Sequence, residues 1–268
     1  MKISISNIAW DRNLFPYFLD FIKSKGCSGV EIAPSCVWDE PIKSSKIERS
    51  NIIKSISNAG LELVGFHALL YHRPELQLFL GKELKKKTLK YLCDLIDLCS
   101  ELGGKQLVFG SPQNRKLHGR DYSDCFEEIL SDFYAVAEYA KKKNVCFCIE
   151  PLGKYTDFIK SIDEGGQLVL KINHPFFKLH LDTKTFFSTK ENPKQTIEKY
   201  SNLIQHVHIG DDDLKEPGSI NKDHRVIGEA LRKINYSKYL SIEMRKPQNN
   251  IKKVIERSIL FVKENYKV

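Results

Sequence analysis

Short apolar runs alternate with longer amphipathic segments along most of the chain. Residues 2–8 alternate apolar and polar positions, which is typical of a half-buried strand. Seven further runs also predict strands, and they cover residues 29–32, 61–66, 106–109, 145–149, 177–181, 204–207 and 239–242. The segments that follow the eight runs have helical periodicity and predict helices at residues 14–25, 47–59, 83–102, 122–143, 162–172, 193–200, 226–234 and 251–265.

Eight successive strand–helix units predict one closed barrel. A helix between two strands returns the second strand in the same direction, so the predicted sheet is parallel. Eight units of about 30 residues are what a (β/α)8 TIM barrel requires, and residues 1–268 are therefore predicted to form a single α/β domain. An open doubly wound sheet is the alternative, but it usually carries a glycine-rich first loop, and residues 8–12 contain no glycine.

Composition narrows the class of protein. The 268 residues are 41% hydrophobic and 28% charged, which is enough apolar material for a large core. No apolar run approaches the roughly 20 residues that a membrane span needs, and the first residues lack a secretory pattern. The seven cysteines are odd in number and include no C-x-x-C pair. A disulfide scaffold and a zinc finger are therefore disfavoured, and a cytoplasmic protein is expected.

Polar residues interrupt the apolar pattern where the last four predicted strands end. These residues are Glu150, Asp182, His208 and Glu243. The carboxyl ends of barrel strands meet at one face, which carries the active site in TIM-barrel enzymes. Because burying a charge without a partner is costly, four such ends indicate groups that compensate one another around one cation. Three carboxylates and one imidazole suit Mn²⁺ first, with Mg²⁺, Co²⁺ or Zn²⁺ as alternatives.

The strand-end motifs resemble those of one known family. They are Ile-Glu-Pro-Leu at residues 149–152, His-Leu-Asp-Thr at 180–183, His-Val-His at 206–208, Ser-Ile-Glu-Met at 241–244, and residues 106–112 followed by Arg115. In this order they resemble the xylose-isomerase-like sugar isomerases and epimerases, which share their barrel with endonuclease IV. The resemblance spans nearly the whole chain.

The resemblance to ketose 3-epimerases implies roles for the four residues. Glu150, Asp182, His208 and Glu243 would bind one divalent metal, and Glu150 and Glu243 would also move the proton. The implied reaction is isomerisation or epimerisation of a sugar or sugar phosphate. A metal that binds the carbonyl and a neighbouring hydroxyl stabilises the enediolate formed by proton removal. A carboxylate on each face of the sugar allows removal on one side and return on the other.

Three positions depart from the epimerase pattern. Thr185 stands where those enzymes have a histidine, Thr156 where they have a glutamate, and Leu214, beside Lys215, where they have an arginine. All three would contact the sugar, so the resemblance leaves the substrate open. Two alternatives therefore stand beside the epimerase. One is a metal-dependent lyase that dehydrates a polyol such as an inosose, and the other is a non-catalytic barrel that binds a sugar.

The formal net charge of +8 raises the alternative of an apurinic endonuclease. The trinuclear zinc site of endonuclease IV needs more ligands than this chain offers. The end of the fourth strand has no histidine, Thr185 replaces another ligand, and residues 223–225 lack the Asp-x-His spacing. Two of three zinc ions would be poorly held. Nucleic acid is therefore not favoured as a partner.

Five residues near predicted strand ends are candidates for contact with the substrate. They are Glu31, Trp38, His67, Lys215 and Arg245. Arg245 shares strand parity with Glu243 and can hold a carboxylate or phosphate with two parallel hydrogen bonds. Glu31 is interpreted as a substrate contact or as a support for another site residue, and a structural ion pair is an equal alternative.

The predicted mouth carries three loop lysines, Lys154, Lys184 and Lys215. Each is interpreted individually as solvated surface. Together with Arg245, Lys215 nevertheless favours an anionic sugar as the substrate. A homo-oligomer is compatible with the sequence, and no membrane partner is expected.

Overall fold

Eight parallel strands close into a barrel in chain order, as predicted. The computed structural model describes residues 1–221 and 223–268. The strands are β1 (Lys2–Ser6), β2 (Gly29–Ile32), β3 (Glu62–Phe66), β4 (Gln106–Phe109), β5 (Cys146–Ile149), β6 (Phe177–Asp182), β7 (Ile204–Ile209) and β8 (Tyr239–Ile242). β1 pairs with both β2 and β8, so Ser4 lies between Gly29 and Ser241 and closes the barrel. The (β/α)8 prediction is confirmed.

Helices surround the barrel at all eight predicted places, with boundaries within about two residues of the prediction. They are α1 (Phe15–Ser24), α2 (Lys46–Asn58), α3 (Lys82–Glu101), α4 (Tyr122–Lys142), α5 (Ile162–Ile172), α7 (Pro193–Lys199), α8 (Arg225–Lys233) and α9 (Ile251–Tyr266). A ninth helix, α6 (Thr183–Thr189), was not predicted. It begins directly after β6, and Asp182 is both the last residue of that strand and the N-cap of the helix.

The main core lies between the barrel and the helices. Phe109, Phe147 and Phe177 on β4, β5 and β6 pack with Phe133 of α4, and all four rings are fully buried. The Phe109 and Phe147 rings stack at 5.7 Å, and those of Phe133 and Phe177 at 5.6 Å. Burying large aromatic side chains is among the strongest contributions to core stability. This packing fixes β5 and β6, whose carboxyl ends carry two of the candidate site residues.

The inside of the barrel is unusually polar. Buried, inward-facing residues include Ser4, Glu31, His180, His206 and Ser241, whereas barrel interiors are usually filled with branched apolar side chains. The seven cysteines are free thiols in the described structure, and Cys146 and Cys148 on β5 are buried. Within residues 1–221 and 223–268, no helix is long and apolar enough to cross a membrane.

Candidate active site

A cavity of about 380 Å³ opens at the carboxyl end of the barrel. Its floor is polar and includes Glu150, Lys184 and Glu243. Apolar side chains from several loops form much of its wall, namely Leu70, Tyr71, Pro74, Leu152, Tyr155 and Leu214. Small-molecule sites commonly have this volume and combine an apolar wall with a few converging polar groups.

The four predicted metal ligands lie together at or beneath this floor. Asp182 of β6 is the register partner of His208 of β7, which fixes these two side by side. His208 Nδ1 lies 3.5 Å from Glu243 Oε2 and 4.0 Å from Asp182 Oδ2. Glu150 extends β5 by one residue, and its backbone N–H donates to the Phe109 carbonyl at 3.1 Å. All four side chains are buried, so their charges interact in a region with little water.

Lys184 occupies the centre of this group. Its Nζ lies 2.8 Å from Glu243 Oε2 and 3.5 Å from Glu150 Oε1, and it contacts Asp182 Oδ2. The interpretation of Lys184 as a solvated surface lysine was therefore wrong, since its side chain is only 10% exposed. The helix α6 is the reason. Asp182 Oδ1 caps the helix by accepting from the Lys184 backbone N–H at 2.9 Å, which turns the lysine back over the strand ends.

The two site glutamates have pKa values displaced in opposite directions. Burial raises the pKa of Glu150 to about 8, and the Lys184 charge offsets this only in part. Burial also acts to raise the pKa of Glu243, but Lys184 and His208 outweigh it and hold that pKa well below the usual value. Burial opposes the charge of Lys184, yet the three carboxylates raise its pKa well above normal. Pairs of carboxylates whose pKa values are displaced in opposite directions are typical of acid–base sites.

Glu31 orients His208 from behind. Its Oε2 accepts from His208 Nε2 at 2.9 Å and from the Ser241 hydroxyl at 2.6 Å. His206 Nε2 lies 3.2 Å from the other oxygen, Oε1. Glu31 is fully buried, which contradicts its prediction as a substrate contact and favours the supporting role. With Nε2 committed to Glu31, His208 directs Nδ1 toward Asp182 and Glu243, as metal-binding histidines usually do.

His67 plays the same part for Glu243. Its Nδ1 donates to Glu243 Oε1 at 3.0 Å, and its Nε2 accepts from the Ser6 hydroxyl. The ring is 1% exposed and does not line the cavity. The prediction that His67 contacts substrate is therefore replaced by a positioning role.

The donor set fits a divalent metal ion. Glu150 Oε1 and Asp182 Oδ2 lie beside the Lys184 ammonium but, like the buried His208 Nδ1, have no other hydrogen-bond partner within the described structure. Two groups of side chains offer donor atoms that lie within 4.8 Å of one another. One group includes Glu150, Asp182 and His208, and the other consists of His67, His208 and Glu243. Oxygen donors with one nitrogen match the preference of hard and borderline divalent cations.

The remaining predicted substrate contacts divide between the cavity and the surface. Arg245 lines the cavity. Trp38 is buried in a separate surface pocket beside Arg12 and Ile52, so its predicted contact with the substrate is not supported. Lys215 is exposed and lies outside the lining, although its neighbour Leu214 belongs to it. Periodicity does not determine loop paths, which is why these two predictions failed.

Two of the three positions that depart from the epimerase pattern make local hydrogen bonds. The Thr185 hydroxyl donates to the Pro151 carbonyl at 2.7 Å, and the Thr156 hydroxyl donates to the Phe158 carbonyl at 3.1 Å.

Gly110, immediately after β4, is a site residue that the sequence interpretation missed. A Cβ at that position would clash with Glu150 Oε2, so the absence of a side chain leaves room for the carboxylate.

Comparison with known proteins gives consistent matches. A family model described as "Xylose isomerase-like TIM barrel" matches residues 19–265. D-psicose 3-epimerase of Ruminiclostridium cellulolyticum is 23% identical over 249 residues, which cover 88% of this chain and 81% of the relative. 3-Dehydro-D-guloside 4-epimerase of Escherichia coli is 25% identical over 261 residues, which cover 91% and 92%.

Solved structures share the barrel. D-psicose 3-epimerase crystallised in the presence of D-fructose superposes with a TM-score of 0.83 at 17% identity, covering all of both chains. The apo form of 3-keto-D-glucoside 4-epimerase from E. coli gives 0.82 at 19% identity, covering 98% of this chain and 99% of the other. These structures share the fold, and the family model over residues 19–265 confirms the family resemblance seen in the strand-end motifs.

Proposed function

Because the chain belongs to the xylose isomerase-like TIM barrel family, we propose that it is a sugar isomerase or epimerase that uses one divalent metal ion. The observation that carries this proposal is the meeting of Glu150 and Glu243 at one cation position on the cavity floor. Both carboxylates are buried, and both border the space in which a small substrate fits.

The ligands would be Glu150, Asp182, His208 and Glu243, with Mn²⁺ as the first candidate ion. Bound there, the ion would supply the positive charge that stabilises a deprotonated sugar. Glu150 and Glu243 take the proton from the carbon beside the carbonyl and return it. His67 keeps Glu243 in place, Glu31 keeps His208 in place, and the apolar side chains of the cavity wall surround the substrate.

The substrate class follows from the cavity and the relatives. Relatives of this fold act on ketoses or keto-glycosides, according to their names. A cavity of about 380 Å³ accommodates a monosaccharide. Arg245 at the mouth favours a substrate that carries an anionic group away from the reacting carbon. A cytoplasmic location is part of the same proposal.

Proton exchange with solvent tests the proposal. Metal-loaded protein is incubated in D₂O with a panel of ketoses, aldoses, keto-glycosides and sugar phosphates, and ¹H NMR follows the hydrogen next to the carbonyl. We expect its replacement by deuterium together with a new stereoisomer or isomer, and loss of both after EDTA treatment. Dehydration of a polyol ketone would instead establish a lyase, and cleavage of abasic DNA would establish an endonuclease. Binding without exchange would establish a sugar-binding barrel.

A further inference from the structure

The ammonium group of Lys184 lies where the proposed metal ligands converge. It contacts three of the four, and the separations from Glu243 and Glu150 are 2.8 Å and 3.5 Å. Within the described structure, no other lysine or arginine forms an ion pair with any of these carboxylates. Lys184 therefore supplies the ammonium charge that, together with the neighbouring His208, offsets the buried negative charge of this centre.

The backbone of Lys184 is held firmly, so only its side chain is free to move. The Thr183 hydroxyl donates to the Gly210 carbonyl at 2.7 Å and accepts from the Gly210 N–H at 3.0 Å. On the other side, the Thr185 hydroxyl donates to the Pro151 carbonyl at 2.7 Å. These bonds tie the first turn of α6 to the loops after β7 and β5. The fold therefore determines the position of the ammonium group, which is not that of a freely moving surface side chain.

A metal ion and this ammonium cannot contact the same oxygens together. Two cations a few ångströms apart repel each other strongly where water is scarce, and the carboxylates offer one shared position. Lysine has a flexible four-carbon stem, and Lys184 borders the open cavity. The side chain consequently has space to withdraw into when another cation takes its place.

We propose that Lys184 is a tethered cation that alternates with the divalent metal ion at this centre. Its ammonium contacts Asp182, Glu243 and Glu150 and offsets part of their negative charge when the ion is absent, and it withdraws into the cavity when the ion binds. This inference rests on the proposed function, because it takes the four ligands as the metal site. Lys184 lowers the apparent affinity of the protein for the ion, because the ion binds only when the lysine side chain has withdrawn.

Calorimetric titration of Mn²⁺ into metal-free protein tests this proposal without an activity assay. The variants are Lys184→Met, which removes the charge, and Lys154→Met, which removes an exposed mouth lysine that pairs with Asp212 at 2.9 Å. We expect Lys184→Met to bind Mn²⁺ about 10- to 100-fold more tightly than the unchanged chain. Lys154→Met should bind it as the unchanged chain does.

Thermal unfolding provides the second readout. Without metal, Lys184→Met should melt at a lower temperature because its carboxylates lose their counter-charge, and Mn²⁺ should raise its Tm more than it raises that of the unchanged chain. Lys184→Gln makes the same comparison if the methionine variant does not fold.

Equal or weaker Mn²⁺ binding by the neutral variants would overturn the tethered-cation proposal while leaving the metal-dependent enzyme intact. Absence of Mn²⁺, Mg²⁺, Co²⁺ and Zn²⁺ binding by every variant would overturn both.

Discussion

The two halves of the barrel contribute differently to the site. Strands β5–β8 carry ionisable side chains at or next to their carboxyl ends, and these side chains meet at or beneath the cavity floor, namely Glu150, Asp182, His208 and Glu243. Strands β1–β4 contribute Ser6 and Glu31, with His67 directly after β3, and these lie behind the floor. One half therefore carries the groups proposed to bind the ion and move the proton, and the other half fixes their orientation. Separating these tasks lets buried charges be held rigidly while one face stays open to substrate.

The largest expected effect is in the half that carries the chemistry. Glu243→Gln should lower the rate of proton exchange by about 10²- to 10⁴-fold, because the amide cannot accept the proton. Deuterium incorporation measured by ¹H NMR checks this. Glu229→Gln is the matched control, since Glu229 is an exposed glutamate of α8 and should leave the rate unchanged. Equal exchange by Glu243→Gln and the unchanged chain would remove Glu243 from the proton transfer.

The next largest effect is expected in strands β1–β4, the half that orients the site residues. Glu31→Gln should weaken Mn²⁺ binding by about 10- to 100-fold, because His208 loses the charged partner that fixes its ring. Calorimetric titration measures the affinity. Glu62→Gln serves as the control because Glu62 is an exposed residue at the opposite end of the barrel, paired with Lys2. If both variants bound Mn²⁺ equally, β1–β4 would have no role in holding the ion.

An effect of similar size is expected where the two halves meet. Gly110→Ala at the end of β4 should displace the Glu150 carboxylate and lower kcat by about 10- to 100-fold. Circular dichroism should show the unchanged secondary structure, because the clash falls on the end of a side chain. Unaltered kcat would mean that Glu150 need not occupy its present position.

The smallest effect is expected at the rim. Lys154→Met removes an exposed ion pair with Asp212, and such pairs contribute little to stability. Both the Tm and the exchange rate should stay as in the unchanged chain. A marked fall in exchange would extend the functional region beyond the cavity floor.

The four strand-end residues were predictable because parallel strands bring their carboxyl ends to one face of the barrel. A polar residue at the end of a buried strand therefore lies at that face. The supporting role of Glu31 was weighed from the sequence on similar grounds. Parity along a strand carried most of this information, and it also placed Arg245 at the mouth.

Lys184 and Gly110 could not be found in the same way. Lys184 reaches the centre through α6, a seven-residue helix that starts without a loop and is too short to show periodicity. The available signal was Asp182, a capping residue that is followed two positions later by a lysine. Gly110 matters through a contact with β5, which depends on the closed barrel rather than on local sequence.

Anomalous diffraction from a crystal soaked in Mn²⁺ tests the central claim most directly. The account predicts one manganese peak among Glu150, Asp182, His208 and Glu243, with the Lys184 ammonium moved from that position into the cavity. A crystal that shows the ammonium still in contact with the carboxylates, and no manganese peak between them at saturating Mn²⁺, would contradict it.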